Sequence, residues 1–317
     1  MKTISDNVKG IGFLVLAMLI FSLQDIAIKW IGGDYPVLEI VIVRNLVALP
    51  CTLVLFRLEG QSGWPTTQRH KLEYFRGFLL FLSFTFYMMG LAAIPLADVG
   101  AIRNSAPLII TFLSVVWLGE KVGPRRWLTL LIGFIGVLLI IRPGATTFNM
   151  GSVFILLTTL TYALNVMVTR QLRTTDSSAT MAYYSTLVYL VAAIVLTPLS
   201  LFVGEIPEAH PSIAFLLRAW TTPTLLDLVI MAGLGLIWAS GMYLIARAYS
   251  LAEASTAAPF EYVALLFSIF WGFAIWREIP TRVTWIGAFL TVASGLYILY
   301  RERQQLGKRP LPSQNPS

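Results

Sequence analysis

Charged side chains are scarce in this sequence. They make up 12% of its 317 residues, whereas hydrophobic residues make up 57%. A water-soluble domain needs about a quarter of its residues charged to keep its surface hydrated. This deficit excludes an ordinary soluble globular protein and indicates a membrane protein.

Residues with metal or redox chemistry are almost absent as well. The one cysteine, Cys51, lies inside an apolar run, and the two histidines, His70 and His210, lie in separate linkers. A single cysteine cannot form an internal disulfide, and isolated histidines lack a metal-ligand spacing. The sequence also has no nucleophile and base pattern and no phosphate-binding loop. We therefore expect no enzyme activity, no cofactor and no metal.

Ten apolar segments are long enough, or nearly so, to cross a bilayer, which takes about 20 residues. They run from Ile11 to Ile31, Val37 to Phe56, Tyr74 to Ile94, Val99 to Leu118, Trp127 to Ile141, Val153 to Thr169, Met181 to Val203, Leu225 to Ala246, Ala254 to Trp276 and Val283 to Tyr300. The fifth is short and is expected to extend toward Pro124.

The basic residues lie between these segments, and their distribution predicts the orientation of the chain. With the amino terminus in the cytoplasm, 16 of the 23 Lys and Arg fall on the cytoplasmic side. The positive-inside rule therefore predicts a multi-pass protein of the cell (inner) membrane with both termini in the cytoplasm. The net charge of +7 is explained by this topology, so we expect no nucleic-acid partner.

The chain contains an internal repeat. Leu96-Ala97-Asp98 aligns with Leu251-Ala252-Glu253 at a spacing of 155 residues, and Glu120 aligns with Glu278 at 158. Repeats of fixed spacing indicate duplicated units, here residues 10–143 and 151–300, followed by a polar tail at 301–317. Because each unit has five helices, the second enters the membrane inverted. Inverted repeats around a midplane substrate site are typical of secondary transporters.

Polar side chains within the apolar segments are the candidates for a substrate site, because such groups are costly in lipid. The first segment has Gln24 and Asp25, with Lys29 at the spacing of an internal ion pair, and the sixth has Tyr162 and Asn165 on one polar face. That face either lines a cavity or holds the helices together by hydrogen bonds.

Two arginines lie at membrane depth. Arg103, beside Asn104, is expected to bind an anionic group, with Glu261 or Asp25 as the alternative intramolecular partner. Arg44, beside Asn45, is also a candidate, but its long side chain could instead extend to the interface in a structural role.

The ninth segment contains Pro259-Phe260-Glu261-Tyr262. Proline leaves a carbonyl without its helical donor, which is tolerated where backbone lines a cavity. Glu261 is predicted either to exchange a coupling proton or to pair with Arg103 or Arg44. Five aromatic residues at depth are candidates for stacking on a planar solute: Tyr87, Tyr162, Trp238, Tyr243 and Tyr262.

Four acidic residues mark helix ends. Asp98 and Glu253 begin their helices, where a carboxylate caps free N–H groups. Glu120 and Glu278 end theirs beside basic residues, and we expect them to form surface ion pairs of little energy.

These features resemble a known family. Pro107, Leu118-Gly119-Glu120 and the Trp127 helix, matched by Glu261-Tyr262, Glu278 and the Trp285 helix, are similar to the two EamA domains of the drug/metabolite transporter superfamily. The resemblance covers almost the whole chain and implies a ten-helix basket with a central cavity that opens to each side in turn. It also implies transport of small organic solutes: members export amino acids and other metabolites or take up riboflavin or S-adenosylmethionine. The Arg103-Asn104 pair departs from the common pattern.

The resulting hypothesis is an all-α, ten-helix secondary transporter of a small metabolite such as an amino acid, a vitamin or a nucleoside-like solute. Its partners would be the substrate, the lipid bilayer and a coupling proton, in a monomer or a homodimer. A flippase of a lipid-linked intermediate is the alternative.

Overall fold

A computed structural model describes residues 6–31, 35–91, 93, 102–141, 150–203, 210–214, 220–277 and 282–306. Side chains of some helical residues, Asp25 and Lys29 among them, lie outside this description. No strand occurs in the described ranges, and six of the helices found there are long and apolar enough to cross a membrane. The predicted all-α polytopic fold is confirmed.

The helices follow the predicted segments. In the first half they are α1 Asp6–Ile31, α2 Val37–Leu58, α3 His70–Leu91, α4 Ala106–Leu118 and α5 Pro124–Ile141. In the second half they are α6 Met150–Leu172, α7 Ser178–Val203, the short α8 Pro211–Ala214, α9 Leu225–Leu251, α10 Ala254–Ala257, a 3₁₀ turn Ala258–Tyr262, α11 Val263–Trp276 and α12 Arg282–Leu306. The fifth segment does begin at Pro124, and α12 continues past residue 300 into the predicted tail.

Two predicted segments are interrupted, and the interruptions match. The fourth was expected to be continuous, but a turn at Asn104 and Ser105 precedes α4. In the ninth, the 3₁₀ turn separates α10 from α11. Proline explains both breaks because it has no N–H to donate and its ring clashes with the preceding turn of a helix: Pro107 lies in the first turn of α4, and Pro259 lies within the 3₁₀ turn. At the repeat spacing of 155, Asn104 corresponds to Pro259.

Contacts between the halves come in equivalent pairs. Helix α1 packs against α9, and α6 packs against α3, which is the same pair with the halves exchanged. Helix α2 packs against α7, and α5 against α12. This pattern is the one expected for two copies of one five-helix unit related by a pseudo-two-fold axis.

Glycines allow the closest helix approaches. A Cβ on Gly10 would lie 2.6 Å from the Ala252 Cβ, and one on Gly241 would lie 2.6 Å from the Phe21 ring. A Cβ on Gly235 would lie 2.4 Å from the Arg44 carbonyl oxygen. Gly233, two residues before Gly235, has open space beside it.

Candidate functional site

Glu261, in the 3₁₀ turn, is the centre of a polar cluster between the two halves. Its Oε1 accepts hydrogen bonds from the Tyr162 hydroxyl on α6, at 2.8 Å, and from the Tyr249 hydroxyl on α9. The guanidinium of Arg103, from the first half, interacts electrostatically with both Glu261 and Tyr162. Of the two partners predicted for Glu261, the structure therefore places Arg103 beside it.

Arg103 lies before the start of α4 and is exposed. Its Cζ lies 5.0 Å from the ring centroid of Tyr87 on α3, a cation–π contact. Asn104 follows it in the turn and is partly buried. The structure thus brings Tyr87, Arg103 and Asn104 to the same interruption, opposite Glu261 and Tyr162.

Tyr249 was missed from the sequence. It follows Trp238 by 11 residues, close to three helical turns, so the two side chains share a face of α9. A search along the Trp238 face would have found it. The residue chosen from the sequence was Tyr243, which follows Trp238 by five residues and lies about 140° around the helix from it.

Arg44 occupies a second polar site. It is 2% exposed, and its Cζ lies 4.1 Å from the ring centroid of Trp238, 5.2 Å from Phe84 and 5.3 Å from Tyr189. The expected extension to the interface is wrong, because the guanidinium is enclosed by aromatic rings from α3, α7 and α9. We call these four side chains the Arg44 cage.

Aromatic side chains connect the two sites. One apolar cluster contains Tyr249 and Phe260 beside Glu261, and another contains Trp238 of the Arg44 cage. Three residues pack against both clusters: Phe21, Tyr162 and Tyr243. Tyr162 and Tyr243, both predicted to stack on a solute, therefore pack against both clusters. The Tyr162 hydroxyl donates to Glu261, whereas Tyr243 interacts with Glu59 just after the end of α2.

Other predicted site residues have different surroundings. The Asn165 amide donates to the Arg76 carbonyl oxygen on α3 at 3.0 Å, which is the helix-joining role that the sequence left open. Tyr262 is fully buried and packs with Leu130 and Val137 of α5. The Oε1 atom of Gln24 is buried without a hydrogen-bond partner in the part of the chain described. The side chain of Asp25 lies outside that part.

The expectation that Glu120 forms a weak surface ion pair is wrong. Its side chain is 8% exposed and accepts hydrogen bonds from the N–H groups of Ala254 and Ser255 and from the Ser255 hydroxyl. It also pairs with Arg170 at 3.4 Å. Burial acts to raise the Glu120 pKa, but the Ser255 and Ala254 hydrogen bonds and the Arg170 charge outweigh it, so the pKa is lowered.

Glu120 therefore caps the start of α10, the role predicted for Glu253. Glu253 occupies the cap position, but its side chain makes no cap hydrogen bond and instead lies 3.5 Å from Arg126. Glu120, Arg126, Arg170 and Glu253 join the two halves at one end of the bundle, and we call them the inter-half latch. Asp98 and Glu278 lie outside the described residues.

In the described ranges, no group of three His, Cys, Asp or Glu residues could hold a metal ion. The described site consists instead of a carboxylate, two arginines, hydroxyls and aromatic rings. Such groups bind and orient a small organic molecule.

The chain is similar to several known transporters along almost its whole length. The chain is 26% identical to the S-adenosylmethionine uptake transporter of Rickettsia bellii, over 95% of this chain and 96% of that protein. It is 26% identical to a riboflavin transporter of Vibrio cholerae, over 94% and 95%, and 25% identical to a pseudopaline exporter of Pseudomonas aeruginosa, over 90% and 94%.

A solved crystal structure shares the fold, with a TM-score of 0.75 at 15% identity, covering 92% of this chain and 98% of the other. The family profile of the EamA-like transporters matches twice, at residues 8–142 and 149–300. The family and these relatives are transporters and not enzymes. This chain, with its two EamA repeats, belongs to the EamA-like transporter family.

Proposed function

We propose that this protein is a secondary transporter that moves a small organic metabolite through a site centred on Glu261, by alternating access. The observation that carries the proposal is the Glu261 carboxylate itself, held by Tyr162 and Tyr249 at the break in the ninth segment. A broken helix places free backbone groups and a charge where two repeats meet, which is a recurrent design of transporter substrate sites.

The substrate is proposed to be an amino acid, a vitamin or a nucleoside-like solute. The relatives named for S-adenosylmethionine, riboflavin and pseudopaline support this range. Arg103 supplies a positive charge for an anionic group, and Tyr87 and Tyr162 supply rings. The protein lies in the inner membrane with both termini in the cytoplasm.

Glu261 is also the proposed site of proton coupling. Its two tyrosine donors stabilise the carboxylate, whereas a proton on Glu261 would compete with them and weaken the Arg103 interaction. Protonation would thereby loosen a contact between the halves. Asp25 is the alternative carboxylate for this role.

The inter-half latch supports alternating access. Glu120 holds the start of α10 through backbone hydrogen bonds, so the two halves cannot separate at this end while the latch is formed. Opening this end of the bundle during transport would then require the latch to break.

A paired metabolite profile of cells and medium tests the proposal, with the wild-type protein compared with Glu261→Gln. The control is Asp6→Asn, which makes the same acid-to-amide change at an exposed residue. We expect a compound that moves between cells and medium with the wild type and the control, but not with Glu261→Gln. Movement into cells identifies an importer, and movement out identifies an exporter.

Two outcomes would contradict the proposal. Unchanged transport by inserted Glu261→Gln protein would remove Glu261 from the site. No compound moved by inserted wild-type protein would favour the flippase of a lipid-linked intermediate. For proton coupling, uptake by proteoliposomes under an imposed pH gradient should depend on the gradient in the wild type and lose that dependence in Glu261→Gln.

A further inference from the structure

The Arg44 cage contains more hydrogen-bond donors than the protein satisfies. Nε and Nη2 of Arg44, Nε1 of Trp238 and the hydroxyl of Tyr189 are all buried, and none has a hydrogen-bond partner among the described residues. The Tyr189 hydroxyl lies near the guanidinium, but no hydrogen bond of acceptable geometry joins them. Three side chains in mutual contact thus present four donors.

A buried arginine with a purely structural role would have hydrogen-bond acceptors for its N–H groups within the protein. Arginine stays charged in proteins, and a buried charge is normally paired and hydrogen-bonded. The rings of Phe84, Tyr189 and Trp238 stabilise the positive charge by cation–π contact, but they accept no conventional hydrogen bonds from its N–H groups. No carboxylate of the described residues pairs with Arg44. What the cage lacks is an acceptor with negative charge.

A carboxylate fits this site best. It is planar, it accepts two parallel hydrogen bonds from a guanidinium, and it leaves lone pairs for the Trp238 and Tyr189 donors. The rings around Arg44 would cover the adjoining apolar or planar part of the same molecule. Tyr162, which donates to Glu261 and packs against the apolar cluster that contains Trp238, is aromatic as well.

We infer that the Arg44 cage binds the carboxylate of the transported molecule, so that the substrates of this protein are organic acids or amino acids. This inference rests on the proposed function. It moves the recognition of the anionic group from Arg103, which already interacts with Glu261, to Arg44.

Benzoate and its neutral isostere benzamide test the cage directly on the purified full chain. We expect benzoate at tens of millimolar to raise the thermal unfolding midpoint and to quench the part of the tryptophan fluorescence that is absent in Trp238→Phe, whereas benzamide does neither. Arg44→Gln should abolish the difference between the two compounds. Arg57→Gln, an exposed arginine on the same helix, is the matched control and should keep it.

If Arg44→Gln does not fold, two variants that each remove one other donor of the cage still test the inference. Tyr189→Phe and Trp238→Phe each remove one donor and retain an aromatic ring. Each should weaken benzoate binding by roughly tenfold, as expected for one hydrogen bond to a charged group. Equal responses of the wild type to benzoate and benzamide, or a full benzoate response in Arg44→Gln, would overturn the inference.

The metabolite profile separates this inference from the proposed function. Transported compounds that all carry a carboxylate, and that Arg44→Gln no longer moves, support both. Transported compounds without a carboxylate would overturn the inference and leave the transporter assignment standing. If the wild type moves nothing, the proposed function fails, and the benzoate measurement still decides whether the cage binds an anion.

Discussion

Two fully buried arginines lie on neighbouring helices, and their surroundings differ. Arg76 on α3 donates from Nε to the Thr169 hydroxyl at 2.8 Å, and from Nη1 to the Met181 carbonyl oxygen at 2.7 Å and to the Ser185 hydroxyl. It also lies 3.7 Å from the buried Glu73 carboxylate. Among the described residues, Arg44 on α2 contacts the aromatic rings of its cage, and its Nε and Nη2 find no hydrogen-bond partner.

The difference shows that burial alone does not identify a functional charge. Arg76 joins α3 to α6 and α7 through groups the protein supplies, so its charge is used by the fold. Nε and Nη2 of Arg44 have no acceptor among the described residues, so they are available to a bound substrate. The three predictions below test this contrast, beginning with the largest expected effect.

Removing each of the two arginines should reduce stability by very different amounts. Arg76→Gln leaves Glu73 buried without its counter-charge, so we expect a loss of about 3–5 kcal/mol in unfolding free energy. Arg44→Gln removes a buried charge that has no partner and should lose far less. Unfolding midpoints in detergent measure both. Equal losses of unfolding free energy in the two variants would contradict the difference between the two sites.

Removing one hydroxyl group beside each arginine compares the stability of the two sites with a smaller change. Ser185→Ala takes a partner from Arg76 and should cost about 1.5–3 kcal/mol, the range for hydrogen bonds to charged groups. Tyr189→Phe removes a hydroxyl that has no hydrogen-bond partner in the described structure, so it should leave the unfolding midpoint nearly unchanged while weakening benzoate binding. A large loss of stability in Tyr189→Phe would mean that the hydroxyl has a structural role.

Alanine substitutions at two glycines of α9 test how closely α9 packs against the backbone of Arg44. A Cβ at Gly235 would lie 2.4 Å from the Arg44 carbonyl oxygen and 2.8 Å from the Val47 Cβ, so Gly235→Ala must push α2 away. We expect a cost of about 1–3 kcal/mol and weaker benzoate binding. Gly233→Ala meets open space and should be neutral or slightly stabilising. Similar unfolding midpoints for the two alanine variants would contradict this packing.

Much of the architecture was predictable because its causes are local or periodic. Apolar runs of about 20 residues predict spanning helices, and Pro259 marks the break that contains Glu261. The repeat spacing of 155 aligns Asn104 with Pro259, although the break at Asn104 itself was not foreseen. The polar and aromatic residues Arg103, Tyr87 and Tyr162 were also identified, because charged and hydroxyl groups stand out in an apolar segment.

The partners of these residues were not predictable. Glu120 was expected at the surface, but it caps the start of α10, 134 positions away along the chain. In the sequence, Tyr249 is an ordinary aromatic residue. Its hydroxyl reaches Glu261 only because α9 packs near the 3₁₀ turn. Arg44 and Arg76 are the same residue type in similar apolar surroundings, and no sequence pattern shows which one lacks acceptors.

By itself, the sequence determined that this chain is an all-helical membrane protein built from two similar units, with a few polar groups at depth. Hydrophobicity, the positions of prolines and the repeat spacing are properties of residue order along the chain, so they can be recognised without knowing the fold. Only the tertiary structure decided which polar groups meet and which remain unpaired. A buried hydrogen bond depends on two atoms within about 3 Å, and here helices distant in sequence supply them.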